Sequence, residues 1–505
     1  MMTASEIFRS ICLNSGFWAA VFLGLVVYYA IFYLTTFRQY PKGTIPLPLS
    51  LELIYRYSRT PQLSRLLASL QQKYGNLFTS WGCGKPYIIV SDWDLMKEAL
   101  VSKRNHFLGR PQNITARMMN AGYANLVFMD YGPEWEVLRK LVHSAIRKYV
   151  MSEKLANLVP ELVDEAVDRM LEEKMPFDPL EHARLIVSNI LAGIAFGKKF
   201  HASDPDFIVI KNAPEVIYWE LRNGLPSDFF PALRLFFLHR EWKVKKAYRE
   251  FLDVIQKQYT EHCKTYEDGK IRNFTDAVIC AREEAEQEEK DCLKYLSIGN
   301  LVLVLAVLFG GGVDTTLTAL RWILLLLGNS PEIQDKIEKE LRTSIGDRCV
   351  VQTDKASCPY TFAVVMETLR FASVIGLSLE HVSLLHTELG GHKLPKGTSV
   401  VFNLYSIHQN KEHWGDPENF RPERFLDSEG QLLSHQLTHY VPFGLGRRQC
   451  PGEKLAYVNL FLMLARLIQR CKVFLSTGPG TANTDPKPIS VVTMPRDYKV
   501  FLEKR

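Results

Sequence analysis

The chain has 505 residues, 47% of them hydrophobic, with 28 Phe, 21 Tyr and 8 Trp, which excludes extensive disorder and is ample for a large buried core. The formal charge of +6, from 61 basic and 55 acidic side chains, is too small and too dispersed to argue for nucleic-acid binding. At most it favours an acidic partner or an anionic membrane surface.

Ser10 to Phe37 carries no charge and is rich in Leu, Val and aromatic residues. About 20 apolar residues cross a bilayer as a helix, and no cleavage site marks a removable leader. Residues 1–38 are therefore expected to form an N-terminal transmembrane anchor. The prolines at 41, 46 and 48 make residues 39–50 a semi-rigid hinge, which leaves 51–505 as the main body. Phe78 to Val90 reads as a small hairpin. Helical periodicity covers Asp92–Val101, Pro133–Tyr149, Ser152–Glu173 and Asp276–Asn329, and strands return near Ser383–Val401 and Ile489–Leu502. The charged run from Arg282 to Lys290 is read as a solvated face. Tyr295 to Val313 is apolar enough for a second membrane span. Asp314 and Arg321 follow in the same stretch, and such charges are costly in lipid, so a helix buried in the protein centre is expected.

The nine cysteines form no CxxC pair and no regular spacing, which excludes a disulfide framework and a zinc site and fits a reducing compartment. The sequons at Asn113 and Asn273 would then go unused. Only Cys450 sits in a context that suggests chemistry. Gly444 and Gly446 permit a tight loop before it, and Pro451 precedes a helical run, so Cys450 is expected to cap a helix N-terminus. The helix dipole, with Arg447 and Arg448, should lower its thiol pKa and favour a thiolate. One soft thiolate in a glycine loop suits a metal ligand, yet a single cysteine builds neither a zinc nor an iron–sulfur site.

Four further motifs stand along the chain. Trp135 and Arg139 lie one helical turn apart. Gly311-Gly312-Val313-Asp314-Thr315-Thr316 puts glycines, an acid and an alcohol in the long apolar helix, where a local bulge could open space. Glu367 and Arg370 share a helical face, and Phe420-Arg421-Pro422-Glu423-Arg424-Phe425 follows downstream.

Together with Phe443, Gly444, Gly446, Arg448, Cys450 and Gly452, these motifs resemble the cytochrome P-450 family, in its order and over nearly the whole chain. The match extends to Phe107-Leu108-Gly109-Arg110-Pro111, Asp228-Phe229-Phe230-Pro231 and Asn273-Phe274-Thr275-Asp276, and is most similar to the animal microsomal branch of steroid hydroxylases and xenobiotic-oxidising enzymes. The resemblance implies a mostly α fold with a small β region. It implies haem b with Cys450 as axial iron ligand, Phe443 beside it, and Trp135, Arg139, Arg448 and His381 at the propionates. Asp314 and Thr315 would handle protons for O–O cleavage, and Glu367, Arg370 and Arg424 would form a bracing network. It further implies O2 as oxidant and electrons from an NADPH-dependent flavoprotein reductase, with cytochrome b5 as a further partner. The chain has no dinucleotide fingerprint of its own. Such enzymes sit in the endoplasmic reticulum membrane with a cytosolic body and take lipophilic substrates.

Arg139, Lys140, Arg147, Lys148, Arg447 and Lys454 are candidates for docking an acidic reductase surface. Ala124–Phe128, Ala306–Gly310, Val374–Leu379 and Val491 are pocket candidates by the same resemblance. Two prolines common in the family after Arg370 are Gly376 and Glu380 here, with Glu380 expected at the surface. Two other readings compete. A haem-thiolate isomerase or dehydratase acting on a peroxide needs no Asp314–Thr315 pair, and a non-catalytic haem sensor needs none of the oxygen motif.

Overall fold

Helices carry most of the chain, as the 3.6-residue spacing of its apolar positions predicts. The computed structural model describes residues 15–35, 39–44, 62–82, 85–150, 153–221, 224–229, 231–433, 437–488 and 492–505. Arg9, Cys12, Arg38, residues 45–50 of the expected hinge, Cys83, Phe230, Val491 and the side chain of Lys148 lie outside the described residues.

Helix α1 (Ser15–Thr35) is followed by α2 (Leu63–Tyr74) and by the expected hairpin, β1 (Leu77–Gly82) and β2 (Lys85–Val90). Then come α3 (Ile114–Asn120), α4 (Pro133–Val150), α5 (Glu153–Leu171), α6 (Leu180–Phe196) and α7 (Pro205–Leu221). A second series comprises α8 (Leu238–Thr265), α9 (Phe274–Gln287), α10 (Ile298–Asn329), α11 (Pro331–Ser344) and α12 (Pro359–Ala372). Short strands β3 (His381–Val382), β4 (Thr387–Leu389), β5 (His392–Leu394) and β6 (Ser399–Phe402) interrupt the helices. Finally α13 (Glu453–Arg470) leads into β7 (Cys471–Leu475), which pairs with β8 (Val500–Lys504). The main sheet has the order β1-β2-β6-β3, with β2 and β6 parallel and the other pairs antiparallel.

Helix α10 is the spine. It is apolar over most of its surface, and such a helix belongs inside. By length and composition it is able to cross a membrane, but most of it is buried within the protein. It packs on α6, α8, α12 and α13. Arg321 is buried against the Tyr498 ring, 5.5 Å away, with Asp178 at 3.5 Å and Asp497 at 3.7 Å. The buried-centre expectation for 295–313 therefore holds.

Four expectations change. The helix expected over 276–329 is two helices, because α9 ends in the acidic run and Glu289 turns left-handed at φ +48° before a 3-10 turn at Asp291–Tyr295. The stretch from Asp92 forms one α turn (Trp93–Lys97) and then a wider π turn (Glu98–Ser102). In 489–502, only the end enters a strand among the described residues. The expected hinge is docked over 39–44: Thr44 is buried, its N–H donates to Thr79 O at 2.9 Å, and Thr79 Oγ1 donates to Pro41 O at 2.7 Å.

Candidate functional site

The cysteine loop is closed by one backbone bond, Cys450 N–H to Phe443 O at 2.9 Å. Gly444 and Gly446 take φ of +76° and +75°, where L side chains are strained. At Gly446 a Cβ would also sit 2.4 Å from the carbonyl oxygen of Leu100, so the loop rests directly on the π turn. The Phe443 ring packs edge-on against Tyr457 of α13.

The helix after the loop begins later than the sequence suggested. Pro451 and Gly452 form a turn, Gly452 caps α13, and Glu453 is the first helical residue. The thiol sits below the cap instead of on it, with the amides of Gly452 and Glu453 facing it. Burial pushes the Cys450 thiol up, while those amides and Arg139 pull it down. Desolvation outweighs the dipole, so the expected net lowering is corrected for the protein alone. A metal would deprotonate the thiol regardless. The positive charge acting on the sulfur comes from Arg139. Arg447 instead donates to the Tyr131 hydroxyl and faces Glu136 at 3.5 Å.

Cys450 is solvent-accessible, yet desolvation dominates its thiol. Both hold if the sulfur faces an internal cleft. The buried helix α10 opens in the same manner: beside Gly310 and Gly311 nothing lies within 4 Å of where a Cβ would be. Gly312, by contrast, packs on Leu191. The expected bulge is absent, because α10 runs unbroken through the glycines, held by ordinary i to i−4 bonding. Space comes from missing side chains, not from a broken helix. Thr315 Oγ1 donates to Gly311 O at 2.8 Å. Asp314, one residue earlier, is turned about 100° away. It is buried, its Oδ2 has no hydrogen-bond partner, and burial raises its carboxyl to about 6. Arg184 on α6 opposes that rise and Glu215 on α7 adds to it. Tyr218 of α7 donates to Gly310 O at 3.3 Å.

Around the cysteine side, segments far apart in sequence bring cations together. Arg448 lies over the Trp135 ring at 4.5 Å and donates to Leu108 O at 2.7 Å and Met129 O at 2.9 Å. Arg139 lies over the same ring at 5.6 Å and donates to Gln449 O. The indole N–H of Trp135 is bonded to Leu126 O at 3.0 Å, so Trp135 is a platform for both guanidiniums, not a free donor. His381 Nδ1 donates to Phe107 O at 2.7 Å, and burial, with Arg110 and Arg448 nearby, holds the ring neutral. Arg110, which sequence reasoning did not single out, is the missed member. It is 7% exposed, and its Nη1 donates to Glu380 O at 2.7 Å. Burial brings Arg110 down to about 10, and burial together with Arg110 and Arg139 brings Arg448 down to about 9. The available signal was its place in Phe107–Pro111.

This donor set fits haem. Among the described residues no group of three or more His, Cys, Asp or Glu gathers to hold a metal ion. A metal at Cys450 must therefore bring most of its own ligands, as a porphyrin does. Arg110 is buried, Arg139 and Arg448 are half-buried, and Arg110 and Arg139 both hold Arg448 down, so the cluster is complementary to two carboxylates.

Glu367, Arg370 and Arg424 meet in one charged network. Glu367 and Arg370 are fully buried, with Arg370 Nε to Glu367 at 2.7 Å and Arg424 Nε to Glu367 at 3.0 Å. Arg421 N–H adds a third donor at 2.9 Å, and both guanidiniums lie over the Trp414 ring.

The pocket candidates divide. Ala124 N–H donates to Asn300 at 2.9 Å, tying that loop to α10, and Ala306 and Phe309 are buried. Gly376 has no room for a side chain, since a Cβ would meet Ser64 Oγ at 2.6 Å. Leu379 is exposed. Glu380 is not at the surface as expected. It is half-buried and accepts a hydrogen bond from Ser399, because the strand beside it turns inward. Of the proposed docking cations, Arg139 and Arg447 are engaged within the protein, whereas Lys140, Arg147 and Lys454 are exposed.

The profile of the cytochrome P450 family matches residues 41–502. A steroid 17-alpha-hydroxylase/17,20 lyase of Gallus gallus is 32% identical over 436 residues, covering 85% of each chain. A cytochrome P450 1A1 of Rattus norvegicus is 31% identical over 432 residues, 83% of this chain and 82% of its own length. The steroid 17-alpha-hydroxylase/17,20 lyase of Squalus acanthias is 30% identical, over 87% of each chain. The single cysteine loop, the matching profile and these relatives agree: the chain belongs to the cytochrome P450 family, a haem b monooxygenase that uses O2 and reductase-derived electrons.

Proposed function

We propose that this protein is a membrane-bound monooxygenase that inserts one oxygen atom into a lipophilic substrate, with electrons from an NADPH-dependent flavoprotein reductase. The observation that carries the reading is Cys450, whose accessible thiol is nonetheless dominated by desolvation, beside the Arg110–Arg139–Arg448 cluster. Haem, when bound, supplies the chemistry that divides dioxygen between product and water, consuming two electrons and two protons. Cys450 would hold the iron through its sulfur, and the amides of Gly452 and Glu453 would steady that charge. Arg110, Arg139 and Arg448 would neutralise the propionates. Thr315 holds a proton at its hydroxyl. Asp314, poised near neutrality by burial, exchanges protons with solvent, and Arg184 offers a counter-charge when it ionises. The apolar face of α10 excludes bulk water.

Two surfaces support membrane attachment in the endoplasmic reticulum. Helix α1 is uncharged, about 32 Å long at 1.5 Å per residue, and exposes Phe22, Leu23, Tyr28 and Ile31. Leu235 and Phe236 are 78% and 75% exposed, near exposed Trp219 and Trp242, with Lys243 and Lys246 beside them. Aromatics flanked by lysines suit a bilayer interface. The seven described cysteines are all free, which fits a cytosolic body. Lys140, Arg147 and Lys454 are exposed and remain for the reductase, with cytochrome b5 as a further partner.

The test is reconstitution of the purified full chain with reductase and NADPH. A thiolate-type spectrum of the reduced carbon monoxide complex and substrate-dependent NADPH oxidation are expected. Haem without thiolate character, or peroxide rearrangement without reductase, would overturn the reading.

A further inference from the structure

The loop at residues 119–129 is a strap tied at both ends. At one end Leu126 O accepts from the Trp135 indole at 3.0 Å, Val127 O from Arg110 Nε at 3.1 Å and Met129 O from Arg448 Nη2 at 2.9 Å. Arg448 shares its loop with Cys450. At the other end Met119 O accepts from the Tyr248 hydroxyl of α8 at 2.8 Å and from Asn125 Nδ2 at 2.9 Å. Between them the Ala124 N–H donates at 2.9 Å to Asn300 Oδ1, in the first turn of α10. The strap thus joins the elements that bear Cys450 and Thr315. Its buried Ala124 and Leu126 belong to the same apolar core as Ala306 and Phe309 of α10.

The Asn300 amide is used on both sides. It is 4% exposed, and while its Oδ1 holds the strap, its Nδ2 donates to Glu134 Oε1 of α4 at 2.9 Å and to Tyr295 O at 2.9 Å. A carboxylate in its place would still accept from the strap but would meet Glu134 acceptor to acceptor. The first turn of α4 also carries Glu136, and the 3-10 turn before α10 carries Asp291 and Lys294. Glu136 is turned to Tyr131 and Arg447, and Lys294 lies over the Tyr295 ring at 5.1 Å, so Glu134 is the charge bonded to the amide. The outer part of the strap is strained. Ala121 and Gly122 take φ of +49° and +85°, which is unfavourable for an alanine and persists only where surrounding contacts enforce it. The Tyr123 ring, 53% exposed, lies over Gly299, 2.2 Å from where a Cβ would be.

We propose that Asn300 is a positioning residue whose amide latches the strap to α10, and that this latch sets the width of the entrance through which a lipophilic substrate reaches the metal at Cys450. The proposal rests on the monooxygenase reading and names the residue that governs access to that same site. With the latch closed, the strap keeps its strained tip, and Ala124 and Leu126 stay in the core. With it open, the tip relaxes and the entrance widens for bulky molecules, while the cationic cluster at the strap's other end is undisturbed.

The experiment uses detergent-solubilised full-chain holoenzyme in its reduced form. Stopped-flow mixing times the binding of phenyl isocyanide, a bulky ligand without a titratable group, and of carbon monoxide, a small one. In Asn300→Asp at about pH 8 the two facing carboxylates repel and the latch opens. Phenyl isocyanide should then bind roughly tenfold faster than to the parent, the rate equivalent of one hydrogen bond, while carbon monoxide keeps the parent rate. At about pH 5.5 the facing carboxylates share a proton, and the parent rate should return for both ligands. Asn300→Asp/Glu134→Gln, with an amide donor on the α4 side, should match the parent at both pH values. Asn300→Ala should admit phenyl isocyanide fast at both, and it serves where the acidic variant does not hold haem. Parent-like phenyl isocyanide rates in Asn300→Asp at high pH and in Asn300→Ala, equal acceleration of carbon monoxide, or an acceleration that neither low pH nor Glu134→Gln reverses would each overturn the proposal. A parent whose reduced carbon monoxide complex lacks the thiolate-type spectrum would instead sink the monooxygenase reading, so the two failures are distinguishable.

Discussion

At the scale of single residues, Asp314 is the most informative group. Burial raises its carboxyl from 3.8 to about 6, and its Oδ2 has no partner. A carboxyl whose native pKa is raised costs the fold nothing while protonated. The cost grows as pH rises from about 4 to about 6 and is constant above that, at about 3 kcal/mol. Asp314→Asn should thus be more stable than the parent at pH 7 by up to that amount, with the gap closing toward pH 4, as read by urea unfolding. Its turnover should fall by roughly a hundredfold. Equal stability at pH 7 would show that the acid is solvated. The sequence identified Asp314 and Thr315 as neighbours but not their divergence, because which side of α10 meets Arg184 and Glu215 depends on α6 and α7. Glu380 teaches the same lesson: nothing local distinguishes a surface glutamate from one turned toward Ser399.

At the scale of elements, the cysteine loop and the Glu367 network each fold a short motif against a distant partner. Gly446→Ala meets both a positive φ and the Leu100 carbonyl, whereas Gly444→Ala meets only the φ, since nothing lies near its Cβ position. Gly446→Ala should lose most of its haem on purification, and Gly444→Ala should retain it with a cost of about 1–2 kcal/mol. Similar haem content in the two would mean that the loop does not rest on the π turn. Glu367→Gln leaves Arg370 and Arg424 buried against a neutral amide. A loss of roughly 3–5 kcal/mol is expected in denaturant unfolding. A loss under 1 kcal/mol would mean that the carbonyls of His408 and Pro417, which also accept from Arg370, suffice. The i, i+3 spacing made Glu367–Arg370 legible. Arg424 was reachable only through its motif, because it stands on a separate 3-10 turn.

At the scale of the whole molecule, attachment to lipid is expected through two surfaces. Removal of residues 1–38 should leave a haem protein that still floats with liposomes in a density gradient. Leu235→Glu/Phe236→Glu in that truncated chain should move it to the soluble fraction with its spectrum intact. Flotation that is lost on truncation alone would assign all attachment to α1. The exposed Trp219, Leu235, Phe236 and Trp242 form one patch only because the ends of α7 and α8 pack together.

The sequence alone determined whatever is contiguous or periodic. Cys450 and its glycines lie within ten residues, so the loop's chemistry is local. The apolar content of residues 295–329 is enough to bury α10 before any partner is known. Convergence was decided by the tertiary structure. Arg110, Arg139, His381 and Arg448 meet from four segments, and only their packing gathers ordinary residues into one cationic cluster. Whether a cation is engaged or exposed depends on the group its fold partner presents, as Arg447, which donates to the Tyr131 hydroxyl, and the exposed Lys454 illustrate. Such contacts follow from how helices and strands pack across hundreds of residues, a long-range property that no local pattern carries.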